Sequence, residues 1–172
     1  MKKGNIEAYC GSGKGKTSLA MGQSLRACAE NKSVIIIQFL KGREKGELNF
    51  LEKTDVDIKL FRFEKSDKYY EELNEAEKED QRENIRNGLN YARKVIQTHE
   101  CDLLVLDEIL GLPEFGIASW DEIKDIINAK NSDMHIILTG RNFSDELEES
   151  VDSVTTLETE YFTEVCVDKV CE

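Results

Sequence analysis

"YCGSGKGKTSLAMG", Tyr9 to Gly22, is the stretch on which the fold assignment turns. Strand-like residues run into three alternating glycines, Gly11, Gly13 and Gly15, then into Lys16-Thr17 and a helix-compatible run. This is the layout of a phosphate-binding loop: backbone N–H groups converge on an anion where a helix begins, a lysine adds mobile positive charge and a hydroxyl offers Mg²⁺ a ligand. The general pattern G-x-x-x-x-G-K-[ST] asks for glycine at position 10, where this chain has Cys10. Gly11, Ser12, Gly13, Lys14, Gly15, Lys16, Thr17 and Ser18 are the first candidate binding residues, with Lys14 a second cation that a plain loop need not carry.

Outward from the loop, short apolar runs alternate with longer amphipathic ones, the mark of a mostly parallel sheet with helices on both faces. Expected strands are Asn5–Cys10, Ser33–Leu40, Val56–Phe63, Cys101–Glu108, Met134–Arg141 and the "SVTTLE" segment, with "TEVCVDKV" as a further edge strand. A helix is expected from Gly15 to about Asn31, with Leu19, Ala20, Leu25 and Ala27 facing inward. "GELNFLEK" and "SDELEES" suggest short helical pieces. A long helix carries Ile85, Leu89, Ala92 and Ile96 as one buried stripe. The charge-dense stretch Glu64–Glu83 before it reads as a solvated helix face, with a mobile flap as the alternative. "SWDEIKDIINAK" opens on Ser119 with Glu122 three residues on, the signature of a capping box. The expectation is α/β, a RecA-like P-loop NTPase fold in one nucleotide-binding domain spanning 1–172.

Composition narrows the function class. The chain has 172 residues, with 23 Lys and Arg against 35 Asp and Glu, a formal net charge of −12. A surface that acidic disfavours nucleic acid, whose nonspecific affinity comes from cations neutralising phosphates. No apolar run approaches the ~18 residues of a membrane span, and Met-Lys-Lys leads straight into a strand-like segment, so a cytoplasmic protein is expected, with no membrane partner. The five cysteines, Cys10, Cys28, Cys101, Cys166 and Cys171, form no C-x-x-C pair and read as ordinary thiols.

A second nucleotide element is "LLVLDE", Leu103 to Glu108. Four apolar residues deliver Asp107 and Glu108 to a strand end, where such an acid holds Mg²⁺ directly or through water. The two acids point to opposite faces, so one of them meets the metal. Together, the two elements imply binding of Mg-ATP or a relative. They leave open a P-loop ATPase or kinase on another substrate, and a nucleotide-dependent binding module.

Further stretches separate these alternatives. With "GSGKGKTSLAMG", "VIIIQFLKG" (Val34–Gly42) followed by "GELNFLEK", and "LVLDEILGLPEFGI" running on to "HIILTGR", the chain resembles the ATP:corrinoid adenosyltransferases, in particular the class also called cob(I)yrinic acid a,c-diamide adenosyltransferase. The resemblance runs from about Asn5 to Thr155, and that family's loop also lacks the leading glycine. It implies that a reduced corrinoid attacks the ribose 5′-carbon of ATP and expels triphosphate. ATP is then co-substrate, Mg²⁺ the metal and the corrinoid the substrate, with an electron donor reducing cob(II) and a homodimer common in the family. The implied catalytic residues are Lys16, Glu108 and Arg141, with Thr17, Asp107 and Glu108 for the metal. Gln38 and Asn49 stand at matching motif positions as lining residues, and Lys41 is either a phosphate or ribose contact or a solvated loop lysine. Arg141 either serves the site or pairs with an acid. His99 and His135, at strand margins, read as structural, since the attacking atom comes from the corrinoid. The chain departs from the family where a G-F-T-W-type segment usually follows the third strand; here it reads "FRFEKSDKYY", and the C-terminus "TLETEYFTEVCVDKVCE" lacks a K-H-P-type segment.

Overall fold

The computed structural model describes residues 4–40, 51, 56–64, 66, 68, 70–130 and 133–162. Among these residues six strands form one sheet: β1 (Ile6–Cys10), β2 (Val34–Gln38), β3 (Ile58–Arg62), β4 (Leu103–Asp107), β5 (His135–Thr139) and β6 (Ser153–Thr156), in the order β3-β2-β4-β5-β1-β6. Every pairing is parallel. The near-continuous apolar runs of β2 and β4 follow from this, because a parallel sheet is covered on both faces. Both strands are buried along their whole length.

One face is covered by α1 (Lys16–Ala29), over Tyr9, Val34, Ile36, Leu103, Val105 and Ile137. The other packs against α2 (Glu75–Thr98) and α3 (Trp120–Asn128), which contribute Ile85, Leu89, Ala92, Ile96, Ile123 and Ile127. The stripe expected on α2 is thus fully buried. The inward face expected for α1 is out of phase in one place: Leu25 is 39 % exposed, while Thr17, Ala20, Met21, Ser24 and Ala27 are buried. The loop lysine and threonine set this rotation. Turning them into the sheet edge carries Met21 and Ser24 inward and Leu25 out.

Helix caps differ from expectation in a similar way. Ser119 accepts a hydrogen bond from the Glu122 amide at 3.1 Å, but the Glu122 carboxylate reaches Arg93 of α2 at 3.1 Å rather than folding back. The reciprocal box closes instead at α2, where Asn74 and Glu77 each bond the other's amide, at 2.9 and 2.8 Å. The "SDELEES" segment is a 3-10 helix, Asp145–Ser150. Among the described residues no helix is long and apolar enough to cross a membrane. Lys41, Asn49, Tyr69, Cys166, Cys171, the "TEVCVDKV" strand and all of "GELNFLEK" except Leu51 lie outside the described residues.

The loops after β4 and β5 touch at backbone level. A Cβ at Gly140 would sit 2.6 Å from Leu110 Cβ and 3.1 Å from the Gly111 nitrogen. Gly140→Ala is therefore expected to lose about 1–3 kcal/mol of stability, the usual cost of overpacking. Urea unfolding at unchanged m-value would register it.

Candidate active site

The site lies along the carboxyl ends of the strands, where open parallel sheets bind ligands. Its ground plan follows from strand periodicity. On the face covered by α1, the inward residues of β2, β3 and β4 read Val34-Ile36-Gln38, Ile58-Leu60-Arg62 and Leu103-Val105-Asp107. Ile137-Thr139 of β5 continues the row. The columns of β2, β3 and β4 are apolar until their last residue, and β5, which opens on His135, also ends polar, so the edge ends in a line of polar side chains: Arg62, Gln38, Asp107, Thr139.

Asp107 is the hub. It is 0 % exposed, and burying a carboxylate is tolerable only when donors replace its water. Thr17 and Thr139 each donate a hydroxyl proton to Oδ1, at 2.9 and 2.7 Å, and Gln38 Nε2 donates to Oδ2 at 2.9 Å. The Thr139 oxygen in turn accepts from the Glu108 amide at 2.9 Å. Glu108 then takes a left-handed conformation (φ 63°), which turns the chain sharply so that consecutive carboxylates diverge. Its side chain lines a recess with Leu40, Tyr70, Phe115 and Arg141, in which the Tyr70 and Phe115 rings meet at 4.9 Å. The structure thus joins Thr17, Gln38 and Asp107 in one cluster and places Glu108 and Arg141 together in another. Lys41 and Asn49 belong to neither description, since both lie outside the described residues.

The glycine loop is shaped by a second neighbour that the motif does not announce. Cys10 is still a strand residue, paired with Thr156 of β6 and 5 % exposed, so no glycine is needed there. Beyond β6 the chain crosses the loop. Gly13 N–H donates to the Leu157 carbonyl at 2.8 Å and Lys14 N–H to Thr159 Oγ1 at 3.0 Å. A Cβ on Gly13 would stand 2.7 Å from the Leu157 and Glu158 backbone. Gly15 answers a different demand: it caps α1 at φ 101°, a region that favours glycine. Lys16, 8 % exposed, donates its ammonium to the carbonyls of Gly11 and Gly13 at 2.7 and 2.8 Å. Positive charge is thereby stored inside the loop, under a helix N-terminus whose dipole adds to it. The Lys14 ammonium lies 5.8 Å from the Tyr161 ring centre.

Both histidines are remote from this edge. His99 caps the C-terminus of α2 and His135 opens β5, so both sit at the amino edge of the sheet, a strand length of ~15 Å away. Burial lowers the His135 pKa, and its Nδ1 accepts the Asn5 amide. Cys101, at the same edge, is buried, and that burial pushes its thiol up to about 12. At the opposite edge, Glu64 follows β3 and is 8 % exposed; among the described residues neither carboxyl oxygen has a hydrogen-bond partner, and burial raises its pKa to about 7.

A family model described as ATP:corrinoid adenosyltransferase BtuR/CobO/CobP matches residues 2–162. The corrinoid adenosyltransferase of Escherichia coli (strain K12) is 27 % identical over 157 residues, covering 91 % of this chain and 77 % of that protein. Corrinoid adenosyltransferase CobA of Salmonella typhimurium (strain LT2) is 27 % identical over 161 residues, with the same two coverages, 91 % and 77 %. The corrinoid adenosyltransferase of Pseudomonas aeruginosa is 26 % identical over 163 residues, covering 91 % of this chain and 75 % of that protein.

Two outcomes are expected from these contacts. Gly13→Ala forces the Leu157–Glu158 backbone off the loop, so amide hydrogen exchange at residues 157–159 should accelerate relative to the parent chain. For Glu64, the folded pKa lies above the unfolded one, so the native state binds more protons between about pH 4.5 and 7. Stability then falls as pH rises through that window. Glu64→Gln should match the parent near pH 4 and exceed it by on the order of 1–3 kcal/mol above pH 7, measured by denaturant unfolding at both pH values.

Proposed function

This chain belongs to the ATP:corrinoid adenosyltransferase family, and we propose that it moves the 5′-deoxyadenosyl group of ATP onto the cob(I) centre of a corrinoid. The cobalt electron pair forms the Co–C5′ bond. The C5′–O bond breaks, and the triphosphate leaves with the bonding pair. One observation carries the assignment of roles: the cationic loop and buried carboxylate share one sheet edge, while both histidines sit at the other. A site without a histidine base beside a nucleophile suits a reaction whose nucleophile arrives with the substrate.

The chain's own task is to hold the leaving group. Lys16 leaves its two carbonyls for the triphosphate, and Lys14 adds a second charge from the loop rim. Preorganised donors of this kind act where charge develops, and most strongly away from water. Because the Gly13 and Lys14 amides are engaged by Leu157 and Thr159, the grip on the triphosphate falls to the Lys16 and Lys14 ammonium groups and to the positive end of the α1 dipole. Gln38, committed to Asp107, holds that carboxylate rather than the nucleotide.

The donor set fits Mg²⁺. Thr17 gives its hydroxyl proton to Asp107, which leaves its oxygen lone pairs to face a cation. Mg²⁺ commonly keeps several waters and substrate phosphates as ligands, so one hydroxyl with carboxylates nearby can serve it. Thr17 would be the direct ligand, with Asp107 acting on it through the Thr17 hydroxyl and Glu108 acting through water. When bound, Mg²⁺ neutralises part of the triphosphate charge. Arg141, exposed beside Glu108, is assigned to the departing phosphates, and reduction of cob(II) to cob(I) to a separate electron donor.

The test is an anaerobic incubation of the protein with Mg-ATP and chemically reduced cobalamin, following the spectral change of alkylation and the phosphate products. Adenosylated corrinoid and triphosphate in equal amounts are expected; ADP with free phosphate would instead favour an ATPase or kinase. Lys16→Ala is expected to lower kcat/KM by about 10²–10³, the typical loss on removing one preorganised donor. A near-parental rate would remove Lys16 from its role.

A further inference from the structure

The polar row along the sheet edge extends beyond the residues that the nucleotide site requires. Arg62 is the last residue of β3, the edge strand, and lies two strands from β4, ~10 Å away across the sheet. Its Nε donates to Gln38 Oε1 at 3.1 Å, and Gln38 Nε2 donates to Asp107 Oδ2 at 2.9 Å. The three residues are in register, Arg62 opposite Gln38 and Gln38 opposite Asp107, so their side chains emerge on one face. A guanidinium only donates and a carboxylate only accepts, so the amide between them has one orientation: carbonyl to Arg62, NH₂ to Asp107. Such a chain is polarised along its length, each bond strengthening the next.

From this geometry we infer that Arg62 is a positioning residue for the metal site, acting through Gln38 on Asp107 and through Asp107 on the Thr17 hydroxyl. This role depends on the proposed Mg-ATP site but not on corrinoid chemistry. Arg62 holds Gln38 in place, and Gln38 occupies Oδ2. The carboxylate plane is thereby set so that Oδ1 receives Thr17 and Thr139 together. Without Arg62 the amide loses its anchor and Oδ2 its fixed donor. The carboxylate is then free to turn, and the threonine oxygen is no longer aimed. Partners outside a metal's direct ligands commonly matter at this level, because they fix ligand orientation. Lysine is an imperfect substitute: it carries the charge but lacks the planar fork that points Nε at one acceptor.

The experiment measures ATP binding to the full chain by titration calorimetry across a MgCl₂ series and, separately, in EDTA. Arg62→Met is expected to raise the Mg²⁺ concentration giving half of the metal-dependent gain in affinity by about 3- to 10-fold, below the 10- to 100-fold of a group bonded directly to a ligand. Metal-free ATP affinity should stay within about twofold, because the loop and Lys16 are untouched. Arg62→Lys should recover part of the shift, and in a Gln38→Leu background Arg62→Met should add nothing, since the link is already cut. If Gln38→Leu does not fold, the ranking of Arg62→Met against Arg62→Lys decides. An unchanged Mg²⁺ dependence, equal losses with and without metal, or an undiminished effect in the Gln38→Leu background would each overturn the role. These results leave the adenosyl-transfer assignment standing; metal-independent ATP binding by the unaltered chain would defeat both, and metal-dependent binding without adenosylation would defeat only the proposed reaction.

Discussion

A buried carboxylate, Asp107, imposes the constraint around which the rest of this molecule is arranged. Removed from water at the end of the central strand β4, it has to be met by donors from its neighbours. They come from three elements: Thr17 at the start of α1, Gln38 at the end of β2 and Thr139 at the end of β5. Satisfying one charge therefore ties the phosphate loop to the sheet edge and fixes how α1 rotates on its face. That rotation is why Leu25 points to water although its spacing suggests the core. It is also why the Thr17 hydroxyl stands ready where a polyphosphate and its metal would sit.

The loop glycines serve two physical demands that a motif does not distinguish. Gly15 answers a backbone demand at the helix cap, where φ is positive. Gly13 answers a packing demand, because the chain leaving β6 passes within bonding distance of the loop and accepts its amides. The same contact accounts for Cys10: β1 has not yet ended there, and its side chain lies in the sheet beside Thr156. Placing β6 at the sheet edge next to β1 thus makes the segment after β6 part of the glycine loop's wall.

Much of this was legible in the chain itself. The strands ending in Cys10, Gln38, Asp107 and Thr139 announce themselves by apolar runs, the one ending in Arg62 by alternation, and the α2 stripe by its period. The polar row was also present as a pattern, since three strands end apolar-x-apolar-x-polar on one parity. The in-register pairing that aligns those ends, however, is set by strands far apart in sequence. For that reason Arg62 and Thr139 carried no signal when read one strand at a time. Glu122 and Glu77 make the same point for caps. Both stand three residues after a capping side chain, yet Glu122 lies within reach of Arg93 of α2 and forms no reciprocal box.

By itself, the amino-acid sequence determined the alternation of strands and helices, the glycine- and lysine-rich loop at the first turn and the acidic strand end opposite it. These are local properties, written in side-chain period and in glycine and lysine spacing. Only the tertiary structure decided which of two adjacent carboxylates faces the loop, which loop amides the segment after β6 engages and which distant cation closes the row. Each of these depends on where a backbone turns and what lies across the sheet from it: the positive φ of Glu108, the path of the chain after β6 and the strand order β3-β2-β4. Contacts made across dozens of residues are products of packing, and no local pattern encodes them.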